Sequence, residues 1–323
     1  MPYLRIVIAI GIGLLYGTLG HTYRASRTGY NQIGDFYWAL YTAQELLQGR
    51  DPYDFISDAA GYFIPYPLPV GLIGLPFLWL AWPLASTLFS TLSISLLAYL
   101  ITQDGKWWRL LLFASLPMYV SAMYSQWSAL ILCAWFVPLL APSLLLIKPH
   151  IALPLALQRL TWKGLMLAGA IAIASLLIYP QWPIRFLSKL DNFQQIIALF
   201  TLPFGPLLVL SLLLWRNERA RLFFLMSILP FRSIYDLCAL LLIPQTPRQM
   251  VYLTLFSWLP MFSVEGSGAG HASVIPLFFL PTLVVLFLQD PEWKKRIAQQ
   301  KFMNLLRPAI AKVAPLKRKE KQE

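Results

Sequence analysis

The sequence predicts an all-α polytopic membrane protein, a bundle of about eight to ten transmembrane helices. Three observations lead there. Of its 323 residues, 58% are hydrophobic and only 12% are charged, with a mean hydropathy of +0.61. Soluble domains carry about 25% charged residues, so water cannot be the solvent for most of this surface. The apolar runs are long and leucine-rich and lack period-2 alternation, which favours helices over a closed barrel. The basic residues gather in short connections and in a tail, the pattern that orients a helical membrane protein.

The apolar runs fall at 4–20, 65–82, 84–102, 108–124, 127–147, 150–158 with 164–180, 194–215, 220–243, 249–264 and 272–289. A full span needs about 20 apolar residues. The first run carries one basic residue, Arg5, and no small-residue cleavage pattern before His21. It therefore reads as a retained helix and not as a signal peptide. Residues 65–82 contain Pro65, Pro67, Pro69 and Pro76, and 127–158 contains Pro138, Pro142, Pro149 and Pro154. The first of these stretches is expected to be re-entrant or surface-lying, the second a broken helix; both need cover from protein or a cavity. Cys133 and Cys238 sit inside apolar runs as small hydrophobes, with no metal-binding spacing.

Lys106 with Arg109, Arg159 with Lys163, and Arg216, Arg219 and Arg221 mark three cytoplasmic connections. Residues 1–292 form one transmembrane domain, and 293–323 form a basic cytoplasmic tail holding ten Lys or Arg against two Glu. The tail's partners are anionic membrane lipids, not nucleic acid. On the opposite side stands an external loop, 21–64, with five of the fourteen acidic residues: Asp35, Glu45, Asp51, Asp54 and Asp58. Asp191, Arg185 and Lys189 share that side. Arg24 and Arg27 are expected at lipid headgroups.

Within this loop, Ala39, Leu40, Ala43, Leu46 and Leu47 recur at helical spacing, predicting an amphipathic helix on the membrane or on the bundle. Gly49 is its stop, and Asp51-Pro52 opens a turn. Asp35 stands at its start. Periodicity makes it an N-cap; the alternative role is a general base, since a carboxylate beside an apolar wall can take a proton from a hydroxyl.

The stretch Gly34-Asp35-Phe36, the helix, Gly49-Arg-Asp-Pro-Tyr53 and then Tyr66-Pro67 resembles the first external loop of glycosyltransferase family 87. These membrane enzymes belong to the C superfamily of glycosyltransferases and use polyprenyl-phosphate sugars. Tyr124-Ser125-Gln126 resembles the family's Gly-Gln motif, and Ile147-Lys148-Pro149-His150 its Lys-Pro motif. Leu229–Asp236 stands where the family carries a turn with Trp and His. The resemblance runs over about residues 1–245.

It implies a C-superfamily bundle and transfer of a sugar, mannose by analogy, from a polyprenyl-phosphate donor to a glycan or glycolipid acceptor at the outer face. Asp35 would be the general base. Lys148, His150 and Arg232 would hold the donor phosphate, and Tyr53, Gln126, Tyr235, Asp236 and His271 would contact substrate. No cofactor and no metal site are expected. The departures are Ser125 in place of glycine, an Arg232-Ser-Ile-Tyr-Asp236 turn without Trp and His, and only 21 residues between Gln126 and Lys148. That last spacing puts Lys148 at membrane depth, where a lysine is a functional candidate. Two other functions fit the composition: a transporter or flippase of lipid-linked glycans, and a non-catalytic membrane subunit of the same fold. Acidic residues clustered in a loop favour surface chemistry over transport, and no internal repeat is visible.

Overall fold

The computed structural model describes residues 2–27, 33–54, 66–189, 196–262 and 272–290, and these are mostly helical. Asp58, Asp191, His271 and the tail from Trp293 lie outside the described residues. Among the described residues, two helices are long and apolar enough to cross a membrane: Tyr3–Ala25 with 23 residues and Trp82–Ile101 with 20.

Helix α1 (Pro2–Ala25) runs five residues past the expected end at Gly20, so the loop after it starts later than position 21. It packs along α4 (Trp82–Ile101). The two differ in burial: 22% of the most apolar window of α1 is buried, against 56% for α4. The first is therefore a peripheral helix with its apolar face turned outward, the second a central one. Their contact rests on small residues. A Cβ at Gly17 would lie 2.0 Å from Thr91 Oγ1, so the backbones approach as they do in small-residue helix crossings. Arg24 is not at a headgroup position. It is 1% exposed, and its Nη1 donates to the carbonyls of Ala122 and Met123 at 3.1 and 3.0 Å. It thereby binds carbonyls at the C-terminal end of the helix Leu116–Met123.

Between them lie α2 (Tyr37–Leu47) and the short α3 (Pro69–Gly74), which pack on each other. Helix α2 ends where expected, with Gly49 at φ +69° just beyond. Its buried face is larger than the periodicity indicated: Trp38, Thr42 and Glu45 are buried with Ala39, Leu40 and Ala43, while Leu47 is exposed. Residues 66–81 contain α3 and the tight turn Leu75–Phe77, and no helix of spanning length.

Beyond α4, most expected spans are divided. Residues 108–124 split into a 3₁₀ segment, Trp107–Ala114, and α5 (Leu116–Met123). Residues 127–158 split into α6 (Ser128–Leu132), two 3₁₀ turns and α7 (Pro149–Gln158). Helix α8 (Trp162–Ile178) is continuous, and α9 (Trp182–Leu187) follows it. The run 220–243 becomes α10 (Glu218–Ile228), a two-residue strand and the 3₁₀ segment Ile234–Leu242. Helices α11 (Pro247–Phe256), α12 (Leu259–Phe262) and α13 (Leu280–Gln289) complete the described chain.

The cause of these divisions recurs. Proline opens α3, α4, α5, α7, α9, α11 and α13, standing in the first turn where its missing N–H costs nothing. Capping side chains reinforce the starts: Ser115, Thr161, Asn217 and Thr246 each accept an N–H from the turn they begin. Strand β1 (Ile196–Ile197) pairs antiparallel with β2 (Pro230–Phe231), Ile196 opposite Phe231. This pair fixes the approach to Ile234–Leu242, around which α5, α6, α7 and α10 pack.

Candidate functional site

The site begins at a turn that only glycine can make. Gly34 has φ +75°, and a Cβ there would lie 2.4 Å from the Tyr124 carbonyl oxygen. The Asp35 N–H donates to that same carbonyl at 2.8 Å, so Asp35 is pinned to the turn that follows α5. Asp35 does not cap α2. The cap position is Phe36, which makes no side-chain cap bond, and Asp35 Oδ2 instead accepts from the Tyr66 hydroxyl at 2.5 Å. Under this carboxylate, Phe36 stacks on Phe89 at 4.1 Å and packs beside Trp127, a fully buried aromatic floor.

Tyr66 is itself held in place. Its carbonyl accepts from the Tyr53 hydroxyl at 3.2 Å. Tyr53, expected at substrate, is 1% exposed, so its ring offers no face to a sugar and its role is to prop Tyr66.

The second half of the site comes from the turn at 124–126 and from the start of α7. Ser125 lies in the left-handed region with φ +48°, a conformation glycine adopts most easily. Lys148 is kept out of the helical region, with φ −142° and ψ 80°, as the following proline favours, and Pro149 starts α7 directly after it. Its ammonium is 3.1 Å from Gln126 Oε1 and 3.0 Å from Asp236 Oδ1. It also lies 4.7 Å from the Tyr235 ring centroid and 6.0 Å from that of Tyr66, within cation–π range.

Asp236 is fully buried and takes its place from the turn after β2. The Arg232 N–H donates to its Oδ2 at 2.9 Å, and His150 Nε2 lies 3.7 Å from the same oxygen. The Ser128 hydroxyl donates to the Tyr235 carbonyl at 2.9 Å, tying this turn to α6. Asp35, Asp236 and Arg232 all lie within electrostatic reach of the Tyr235 phenol.

Asp35, Gln126, Lys148, His150, Arg232, Tyr235 and Asp236, expected from sequence to act together, are thus gathered about Tyr66 and Tyr235. Arg232 contributes its backbone N–H to the cluster. Gln126 and Asp236 both hold the Lys148 ammonium. His271 lies outside the described residues. Tyr66 is the residue that sequence reasoning placed in a motif without giving it a role, although its spacing after the Asp-Pro-Tyr turn was the available signal.

On the same side as Asp35 by sequence, Asp51 joins two further segments. It accepts from the Tyr179 hydroxyl at 2.7 Å and from Arg185 Nη2 at 2.7 Å, and Arg185 also pairs with Asp54. Burial pulls the Asp51 carboxyl up, but the bonds from Tyr179, the Tyr53 N–H and Arg185 outweigh it and hold its pKa below the ordinary value.

No family model, curated protein or solved structure matches this chain.

Proposed function

We propose that the protein is a multi-pass membrane glycosyltransferase with a C-superfamily bundle. In this reading it moves a sugar from a polyprenyl-phosphate donor to a hydroxyl of a glycan or glycolipid acceptor. Asp35 works on the extracytoplasmic side, and the basic tail is cytoplasmic. The observation that supports it most is the meeting of Asp35 and Lys148, far apart in sequence, on the two faces of Tyr66's environment: one at the hydroxyl, the other over the ring.

The chemistry follows from those two charges. The acceptor hydroxyl gives its proton to the Asp35 carboxylate as its oxygen attacks the anomeric carbon. The bond from that carbon to the phosphate oxygen breaks, and polyprenyl phosphate leaves with the electron pair. Inversion at the anomeric carbon results. Lys148, with His150 and Arg232 beside it, supplies the positive field in which the leaving charge develops. Tyr66 fixes one oxygen of the base, and a positioned base of this kind contributes about 10²–10⁴-fold.

A specific observation favours a second reading, a non-catalytic subunit of the same fold. The Lys148 ammonium is already engaged by Asp236, Gln126 and the Tyr235 ring. One experiment separates the two. Purified protein and its Asp35→Asn variant are incubated with radiolabelled polyprenyl-phosphate mannose, glucose and arabinofuranose and a membrane extract as acceptor. The enzyme reading expects transfer of one of these sugars, reduced by about 10²-fold or more in the variant. Equal transfer by both proteins removes Asp35 as base. Absence of any covalent product supports the subunit, and movement of intact donor across vesicles supports a flippase.

A further inference from the structure

A second charged cluster lies away from Asp35, among the basic connections. Arg109, from the segment after α4, and Arg219, at the start of α10, line one cavity with Trp135, Leu112, Leu241 and Met250. Arg159, on the connection between α7 and α8, adjoins it, its guanidinium stacked on Trp135 at 3.8 Å. Three guanidiniums share two carboxylates here. Arg109 pairs with Asp104 at 3.1 Å and Arg159 with Glu218 at 3.0 Å. Arg219 has only a 3.6 Å contact with Glu218, and its buried Nε has no hydrogen-bond partner among the described residues.

Arg219 is therefore the cation left without a full counter-charge. Burial lowers its pKa, and Arg109 and Arg159 lower it further against the pull of Glu218. A dianionic or monoanionic oxygen ligand would relieve all of this at once. The cavity limits what that ligand can be. Its volume is only about 20 Å³, and it is partly open to the outside. That is room for about one or two oxygens, so a ligand would insert its anionic oxygens and leave its remaining atoms outside. A phosphate ester fits these demands: two of its oxygens match a guanidinium fork, and the rest of the molecule can stay outside.

We propose that this cavity binds the phosphate of an anionic membrane phospholipid, with Arg219 as the principal ligand and Arg109 as the second. The site is separate from the Asp35 cluster and independent of the transferase reading.

The test uses the delipidated full-length protein in native mass spectrometry, titrated with dioleoylphosphatidylglycerol or dioleoylphosphatidylcholine. One bound phosphatidylglycerol is expected at concentrations where phosphatidylcholine leaves the protein bare. Arg219→Gln should weaken that binding about tenfold or more, and Arg219→Lys by less. Should Arg219→Gln fail to fold, Arg109→Gln tests the same wall. Competition by inorganic phosphate would assign recognition to the phosphate group alone; lack of competition would assign it to the phosphate together with its lipid. Equal binding of both lipids, or phosphatidylglycerol binding unchanged in the folded arginine variants, overturns the proposal.

Discussion

Lys148–Asp236 and Arg185–Asp51 are the same chemical pairing in two settings. Both tie segments far apart in sequence, and both lie within the set of residues joined to Asp35 through Tyr66 or Tyr53. In the first, the side chains are 6% and 1% exposed; in the second, 35% and 17%. Burial changes what a pair does. Two charges withdrawn from water gain little net stability by meeting, but either one left alone is a heavy cost. The inner pair therefore specifies an arrangement: the start of α7, the turn at Gln126 and the turn before Ile234 must all come together or none can be buried. The outer pair is a clip on a loop, replaceable by water. The inner one holds Lys148 directly in the geometry on which the proposed chemistry depends, and the outer one reaches it only through Tyr53 and Tyr66.

The largest effect expected from this contrast is at Asp236. Asp236→Ala leaves the Lys148 ammonium buried with only Gln126 and ring faces, and should destabilise the protein by about 3–5 kcal/mol. Thermal unfolding in detergent measures it. Pairing that change with Lys148→Met should restore most of the loss, since the stranded charge is gone. A double variant as unstable as the single one would show that the damage comes from packing and not from charge.

An intermediate effect is expected at Tyr66, which bridges the two settings. Tyr66→Phe keeps the ring over Lys148 and removes the hydroxyl from Asp35, a bond to a charged group worth about 1.5–3 kcal/mol. If Asp35 is the base, this variant should also transfer sugar more slowly than the wild type, though faster than Asp35→Asn. A Tyr66→Phe protein with unchanged stability and unchanged transfer would detach Tyr66 from the site.

These two positions also show how far the sequence could be read. Lys148 was recoverable because an ionisable residue in an apolar run stands out, whereas Gln126 and Asp236 came only with the family resemblance. Asp35 carries two readings from sequence, cap and base, and the cap reading fails because helical spacing shows where a cap belongs and not which residue will fill it. Phe36 took that place when Gly34 turned the chain early. Tyr53 reads from sequence as a substrate contact, since an aromatic ring in a loop looks free until its hydroxyl is seen bonded to the Tyr66 carbonyl. The apolar runs foretold helices, but not where each one stops. The prolines at 117, 149 and 247 were in view, yet a proline ends one helix or begins the next depending on its neighbours, and length alone took 108–124 for one span.

The smallest effect belongs to the outer pair, and its pH dependence gives it away. Asp51 has its folded pKa held below the ordinary carboxyl value of about 3.9 by the bonds from Tyr179, the Tyr53 N–H and Arg185. A group depressed in the folded state contributes stability above its unfolded pKa and loses it as the pH falls through the folded one. Arg185→Gln should therefore lower stability at neutral pH by no more than about 1 kcal/mol, less in high salt, because Arg185 is partly exposed to water. The difference from wild type should shrink as the solution is acidified below the ordinary carboxyl range, where the Asp51 carboxyl becomes neutral in both proteins. Unfolding midpoints of the two, followed from neutral to acid pH, test this. A gap that stays constant through acid pH would mean that Arg185 acts through its apolar stem against the loop, and the outer cluster would then resemble the inner one more than its exposure suggests.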